Sequence, residues 1–469
     1  MHCGYITTLK NVRQHPNADR LLLAECFGNT VCVSLDYFEN QIGVYFPTDL
    51  QLSVEFATNN NLLRLRDENG HSIPGGGYMD PDKRNVTAIK LRGEKSDGLF
   101  LPLSCLDYCF EDGAAANLKL GDTISVVNGH EICCKYIPRQ QHRRGGYSEG
   151  NKTRKKKVNI APLFVEHADT EQLAYNLNAF KPGDEIEITL KCHGTSQRTG
   201  HLPVFNGYKR TLLDRLLRRE GTPVYEYDLV TGTRRTVIEN TEGGYYGSNE
   251  FRMPHAEFFR NKLWKNETVY YEVVGFTDTG VPIMSPASNS KMNDKEFIKQ
   301  YGETTVFSYG CSPDGMKKDM WYDENGILCY DDTEAKQSDI YVYRMTMTNE
   351  DGNVVEYTPD FMRYRCEQMG VKCVPLLWKG VIPENPASAD DPTITAGEWI
   401  KNVAERFYDG PDPIGKTHVR EGVVVRVVNR PKFCAYKHKN FSFKVLEGLV
   451  KAVAETPDME EADGLEENE

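Results

Sequence analysis

The sequence predicts an α+β protein, with a small N-terminal β-barrel followed by a larger domain of antiparallel sheets and flanking helices. Three observations carry that prediction. Residues 1–137 hold short apolar alternations, such as Thr30–Ser34 and Gly43–Phe46, between turn clusters at Asn59–Asn61 and Pro74–Gly77. Residues 158–448 interleave apolar, β-branched runs with helix-spaced segments at Lys209–Arg219 and Ala396–Phe407. Between them, 138–157 is rich in Arg, Lys, Gly and Gln and poor in apolar residues, as an interdomain linker is.

A length of 469 residues allows two or three domains, and 39% hydrophobic with 10% aromatic residues excludes general disorder. No apolar run approaches the roughly 18 residues of a membrane span and no signal-peptide pattern opens the chain, so a cytoplasmic protein without a membrane partner is expected. The 13 cysteines form no regular framework. Neither Cys133–Cys134 nor Cys105 with Cys109 has a second pair at zinc-site spacing, so reduced thiols are expected. The net charge of −12 argues against a nucleic-acid partner, but it is unevenly placed. Eight acids and no base lie in Glu455–Glu469, whereas Arg139–Lys157 holds eight Lys and Arg against the single acid Glu149. The local field therefore decides.

In chain order, Ile186 and Ile188 alternate with Glu187 and Thr189, predicting a strand that delivers Lys191 to its end. Gly194 lets the backbone turn and approach a ligand, and Thr195 and Ser196 add hydroxyls. A deprotonated lysine can attack phosphorus; with an ordinary pKa of about 10.4, it needs a neighbouring cation or a dry pocket. The tetrapeptide Lys191–Gly194 also suits a solvated lysine before a turn. Arg198 follows closely enough to reach a ribose or phosphate. Leu212, Leu213, Leu216 and Leu217 predict a core-facing amphipathic helix.

Further on, Thr268–Phe276 is an apolar strand interrupted by Glu272, a costly carboxylate unless it reaches solvent or binds something. Residues 285–340 are polar and turn-rich, an excursion from the core. Ile340–Thr346 alternates as a strand with Tyr341 and Tyr343 on one face. Glu421-Gly422 opens an all-valine run, which predicts a buried strand with a carboxylate at its mouth. Tyr436–Gly448 also reads as a strand, with Ser442 and Lys444 on one face and Phe441, Phe443 and Val445 on the other. Lys437 and Lys439 lie just upstream, two residues apart.

Lys191-Cys-His-Gly-Thr-Ser resembles the nucleotidyl-transferase signature of the covalent nucleotidyltransferases, namely RNA ligases, DNA ligases and mRNA capping enzymes. The histidine at 193 is its RNA-ligase form. The Glu272, Tyr343, Glu421 and Lys444 segments resemble the later ligase motifs, in order. Pro16–Leu21, Ala88–Gly93 and Gly98–Leu103 resemble the N-terminal OB-type domain of the RNA ligases that seal nicks with a 3′-hydroxyl RNA end. The resemblance implies an OB-type nucleic-acid-binding domain at 1–137, a basic linker at 138–157, a nucleotidyltransferase (ATP-grasp-like ligase) domain at 158–448 and an acidic, disordered tail at 449–469.

It also implies roles. Lys191 would take AMP from ATP, with Gly194, Arg198, Glu272, Tyr343, Glu421, Lys439 and Lys444 around the nucleotide. Glu272 would contact the ribose, and Tyr343, with Tyr341 as the alternative, would stack on the base. Glu421 would hold Mg²⁺ or Mn²⁺ and help activate the lysine. Lys444 would sit on the phosphate, although Ser442 stands where relatives carry the first of two lysines, which leaves Lys437 and Lys439 open. His193 would orient the leaving group or the ends being joined, or stabilise its turn. Lys90 and Arg92, then Arg143, Arg144 and Arg154–Lys157, would contact nucleic acid or form solvated surface.

The implied activity is that of a monomeric ATP-dependent RNA ligase in RNA repair, acting on RNA or an RNA-containing duplex with 3′-hydroxyl and 5′-phosphate ends. A DNA ligase or a GTP-using capping enzyme is the alternative; about twenty residues after Gly448 leave no room for the C-terminal OB domain those enzymes carry. A catalytically inactive nucleic-acid-binding relative is the other, against which Lys191, Glu272, Glu421 and Lys444 are all intact.

Overall fold

The computed structural model describes residues 2–65, 73, 75–110, 117–136, 158–168, 170–217, 219, 221–243, 246–292, 294–322, 324, 328–387 and 393–453. It is mixed α+β, with antiparallel sheets and few helices. The chain packs as two compact units. One holds Met1–Gln140, Ser290–Asp294 and Phe441–Pro457; the other holds Gln141–Asn289 and Lys295–Asn440.

In the first unit, Thr123–Ile124, Gly4–Thr8, Ile42–Phe46 and Leu99–Pro102 form an antiparallel sheet in that order. Lys10–Gln14, Leu22–Cys26 and Asn29–Val33 form a three-stranded meander, and Ala88–Leu91 pairs with Glu94–Asp97 in a hairpin. Ile6, Val44 and Phe46 point inward onto Phe56 of the helix Val54–Asn59, which Ser53 caps by accepting the Phe56 N–H. Among the described residues these strands remain separate sheets and close into no barrel, contrary to the expected OB-type barrel. The strands here are only two to five residues long and pair in separate small sheets.

The first unit also takes the helix Phe441–Val453, where the alternation predicted a strand. Phe441, Phe443 and Val445 suit either period, but the equally buried Leu446 directly after Val445 suits only a helix. Among the described residues, no helix is long and apolar enough to cross a membrane.

The second unit is built on two five-stranded sheets. The first has the order Glu171–Gln172, Cys434–Lys439, Gly422–Val427, Glu185–Lys191 and Leu376–Val381. Its Ile186, Ile188, Val423, Val425 and Val427 pack on Ile400, Val403 and Ala404. Those three belong to the helix Ala396–Glu405, started by a Thr395/Glu398 capping box close to the predicted position. The second sheet has the order Thr222–Gly232, Thr195–Lys209, Glu267–Gly275, Ser338–Thr348 and Val354–Glu356. Only Cys192–Gly194 separates the last strand residue of one sheet from the first of the other.

One predicted core element is overturned. The leucine segment forms only the short helix Leu212–Leu216, and Leu212, Leu213, Leu216 and Leu217 are all exposed. It follows the last paired residues of a hairpin, Lys209 and Thr222, beyond the end of the sheet that would have covered it.

Candidate active site

Strand period positions the site. Across the first sheet Lys191 faces Gly422, which faces Lys439; Thr189, Val424 and Lys437 form the next row, and Glu187, Arg426 and Ala435 the third. Directly opposed residues share a face, so all three rows point away from the isoleucine and valine core. The middle of the first row must be glycine. Gly422 has φ of +150°, and a Cβ there would lie 2.1 Å from the His438 carbonyl oxygen.

Around this side-chain-free position the charges converge on Glu421. Its Oε1 is 2.8 Å from Lys191 Nζ and 3.5 Å from Lys439 Nζ, and its Oε2 is 3.7 Å from His193 Nδ1. The Glu421 side chain is only 1% exposed, so these contacts act in a poorly screened environment. Where the turn after Lys191 enters the second sheet, the first strand residues are held by a buried guanidinium. Arg252 Nη1 donates to the Ser196 carbonyl at 3.1 Å and Nη2 to Thr195 Oγ1 at 2.7 Å.

A cavity opens beside Lys191 between the two sheets. Glu187, Thr189, Val424 and Arg426 line it from the first sheet, and Ser196, Glu272 and Tyr343 from the second. The Tyr343 and Ser196 hydroxyls are hydrogen-bonded at 2.8 Å, and His167 meets the tyrosine ring edge-on at 5.0 Å. Tyr341 is buried and does not line the cavity. Glu187, a carboxylate buried within a strand, is gripped by both Arg363 nitrogens at 2.9 and 2.7 Å, which also holds the guanidinium above its ordinary pKa. Phe433 closes another side, with the Arg344 and Arg426 guanidinium carbons 4.9 and 5.1 Å from its ring centre.

No group of three or more His, Cys, Asp or Glu side chains gathers as a metal cage among the described residues. A lone carboxylate such as Glu421 instead fits a hard divalent ion that takes its remaining ligands from water and phosphate oxygens.

No family model matches the sequence, and no curated protein does. Solved structures do match. An RNA ligase of Naegleria gruberi with PPi superposes with a TM-score of 0.52 at 16% identity, over 94% of this chain and 98% of that one. The fold is that of an RNA ligase. Mutants of the same Naegleria enzyme agree: one with ATP and Mn at TM-score 0.51 and 16% identity, covering 96% and 100% of the two chains. Another, with AMP and Mn, gives 0.50 and 16%, covering 95% and 98%.

Within this fold, Lys191, Glu272 and Tyr343 line one cavity and Glu421 touches Lys191, whereas other predicted positions stand elsewhere. Gly194 lets the turn run close against a strand of the second sheet, where a Cβ would lie 2.3 Å from the Val273 carbonyl oxygen. Arg198 does not line the cavity. Its three guanidinium nitrogens donate to the Thr233, Phe164 and Arg235 carbonyls, each at 3.0 Å, so its reach for a ligand is spent on the backbone.

Lys444 lies on the helix Phe441–Val453 and pairs with Asp97 at 2.6 Å, so the pair of lysines two apart on a strand is Lys437 and Lys439. In the first unit, Lys90 is ion-paired with Asp294, and Arg92 is exposed at a hairpin turn. Arg143, Arg144 and Arg154–Lys157 lie outside the described residues. Sequence reasoning passed over Glu187, Arg363, Arg426 and Phe433. The first and third did carry a signal, a charge inside an apolar strand.

Proposed function

We propose that this chain is an ATP-dependent RNA ligase that joins a 3′-hydroxyl to a 5′-phosphate end through a Lys191–AMP intermediate. The observation that carries this reading is the Lys191–Glu421–Lys439 cluster at a cavity whose far wall bears Glu272 and Tyr343. Lys191 attacks the α-phosphorus of ATP; a P–N bond forms and the bond to pyrophosphate breaks. Glu421, 2.8 Å from the amine, is within reach of the proton lost.

Tyr343 offers a face for the base, and Glu272 acceptors for the ribose hydroxyls. Lys439 and Lys437 supply fixed positive charge to the phosphate oxygens. Glu421 would hold Mg²⁺ or Mn²⁺, which when bound supplies further neutralisation of phosphate charge. A 5′-phosphate oxygen then takes the AMP from Lys191, and a 3′-hydroxyl displaces AMP from that end. In this reading residues 1–137 engage nucleic acid and 158–448 perform adenylylation.

The test is incubation with α-labelled ATP and a divalent cation, without nucleic acid, followed by peptide mapping and by sealing of nicks with RNA or DNA at each side. An acid-labile, alkali-stable adduct on Lys191 and sealing that depends on an RNA 3′-hydroxyl end are expected. An adduct on another lysine, or equal sealing of all-DNA nicks, removes the corresponding half of the proposal.

A further inference from the structure

The turn behind Lys191 is held by two segments that the sequence presents as an excursion and a loop. Tyr309 is buried, and its Oη accepts the backbone N–H of His193 at 2.6 Å, a contact between residues 116 positions apart. Its own φ is +51°, the left-handed region that a bulky aromatic seldom occupies. Such a conformation persists only where the surroundings over-determine it.

Those surroundings are specific. Gly415 has φ of +76° and lets the 409–420 loop run against the 309–310 backbone, for a Cβ there would meet the Gly310 nitrogen at 2.6 Å. The buried His418 ring meets Tyr309 edge-on at 4.6 Å and Phe307 at 5.3 Å. Phe307 in turn meets the His193 ring at 4.7 Å. His193 is therefore held twice, its amide by a phenol and its imidazole by a phenyl ring, in the turn directly after the Lys191 strand.

We propose that Tyr309 is a positioning residue for nucleotide transfer to Lys191: by fixing the His193 amide, it sets where the lysine amine and the imidazole stand against Glu421. This rests on the reading of Lys191 as the nucleophile. Tyr309 does not line the cavity, so it acts through the turn and not on the nucleotide. A tyrosine that merely filled space could become phenylalanine at a cost to stability alone. A hydroxyl that aims the nucleophile changes the rate of the chemical step while leaving nucleotide affinity in place.

The experiment is single-turnover formation of the labelled adduct across ATP concentrations with Mg²⁺, in the full chain and in Tyr309→Phe. The maximal rate should fall by roughly 10- to 100-fold, the scale of a misplaced reacting group, while half-saturating ATP stays within about twofold. A maximal rate within about twofold of wild type, or a change confined to half-saturation, overturns the proposal. Should the variant not fold, hydrogen exchange on the wild-type chain decides: the His193 amide should be strongly protected, and free exchange there overturns the clamp. A wild-type chain that takes no label overturns the nucleophile reading and this proposal with it. A labelled wild type beside an unchanged variant overturns this proposal alone.

Discussion

On one face of the lysine-bearing sheet Ile186, Ile188, Val423 and Val425 are fully buried against a helix; on the other, one residue along, stand Glu187, Lys191, Arg426 and Lys439. The same strands supply both faces. Packing on the first is non-directional, so one aliphatic can replace another for the cost of lost contact. On the second, charges are held by other charges: Glu187 by Arg363, and Lys191 by Glu421. Adjacent residues should therefore answer to different measurements, those facing the cavity to chemistry and those facing the core to stability.

The largest expected effect is at Lys191. Lys191→Ala should abolish covalent labelling by α-labelled ATP. Lys191→Arg should abolish it as well, because a guanidinium keeps the charge but stays protonated and cannot attack phosphorus. Either variant could still seal an end that is already adenylylated, since the lysine's covalent part is then over. Undiminished labelling of Lys191→Ala would dissolve the contrast between the two faces.

Next come the lysines on the far side of Gly422. Lys439→Ala should slow adduct formation on the order of 10²-fold, the usual scale for removing a preorganised charge at a reacting phosphate. Lys444→Ala should do far less, because that ammonium is already engaged by Asp97. If Lys444→Ala is the slower variant in the same assay, the phosphate role returns to the helix.

The core face should behave in the opposite way. Ile188→Ala deletes a fully buried side chain three residues from Lys191. It should cost about 2–5 kcal/mol of stability in chemical denaturation. Labelling per folded molecule should stay close to wild type, and a loss of labelling without a loss of stability would contradict the division of labour.

These contrasts also explain what the sequence could disclose. Lys191 ends one apolar strand, Glu421 opens another and Glu272 interrupts a third, and each stands out because burying a charge there is costly without a partner. The partners themselves are set by tertiary pairing. Arg363 meets Glu187 across 176 positions, and Arg426 shares a row with Glu187 only through sheet register. Lys444 falls on a helix and not on the expected strand because Phe441, Phe443 and Val445 fit strand and helix alike, so local periodicity could not arbitrate. Tyr309 escaped because its segment is polar and turn-rich, and its φ and contacts exist only once the 409–420 loop packs on it. The barrel expectation reaches only part-way for a similar cause: short alternating strands announce antiparallel pairing but not whether the sheet closes.

The smallest effect concerns a second carboxylate, Asp412, nine residues before Glu421. Glu421 has two lysines beside it, whereas Asp412 is fully buried and its Oδ2 has no hydrogen-bond partner among the described residues. Burial pushes its pKa up to about 7, with the Glu421 charge acting in the same direction against the Ile414 N–H and Arg420. An unfolded aspartate titrates near 3.9. Between about 4 and 7 the folded chain thus binds the extra proton, and stability from this group falls as pH rises through that window. Asp412→Asn keeps the shape and cannot ionise, so it should melt about a few degrees above wild type at pH 8, with the gap closing toward pH 4. Buried His418, lowered to about 4, pulls the absolute curve the other way, losing stability in acid. It is common to both proteins, so the difference between them isolates Asp412. A gap that does not change with pH would mean that this carboxyl is already charged in the fold, and that the wall behind the Lys191 turn is wetter than its burial implies.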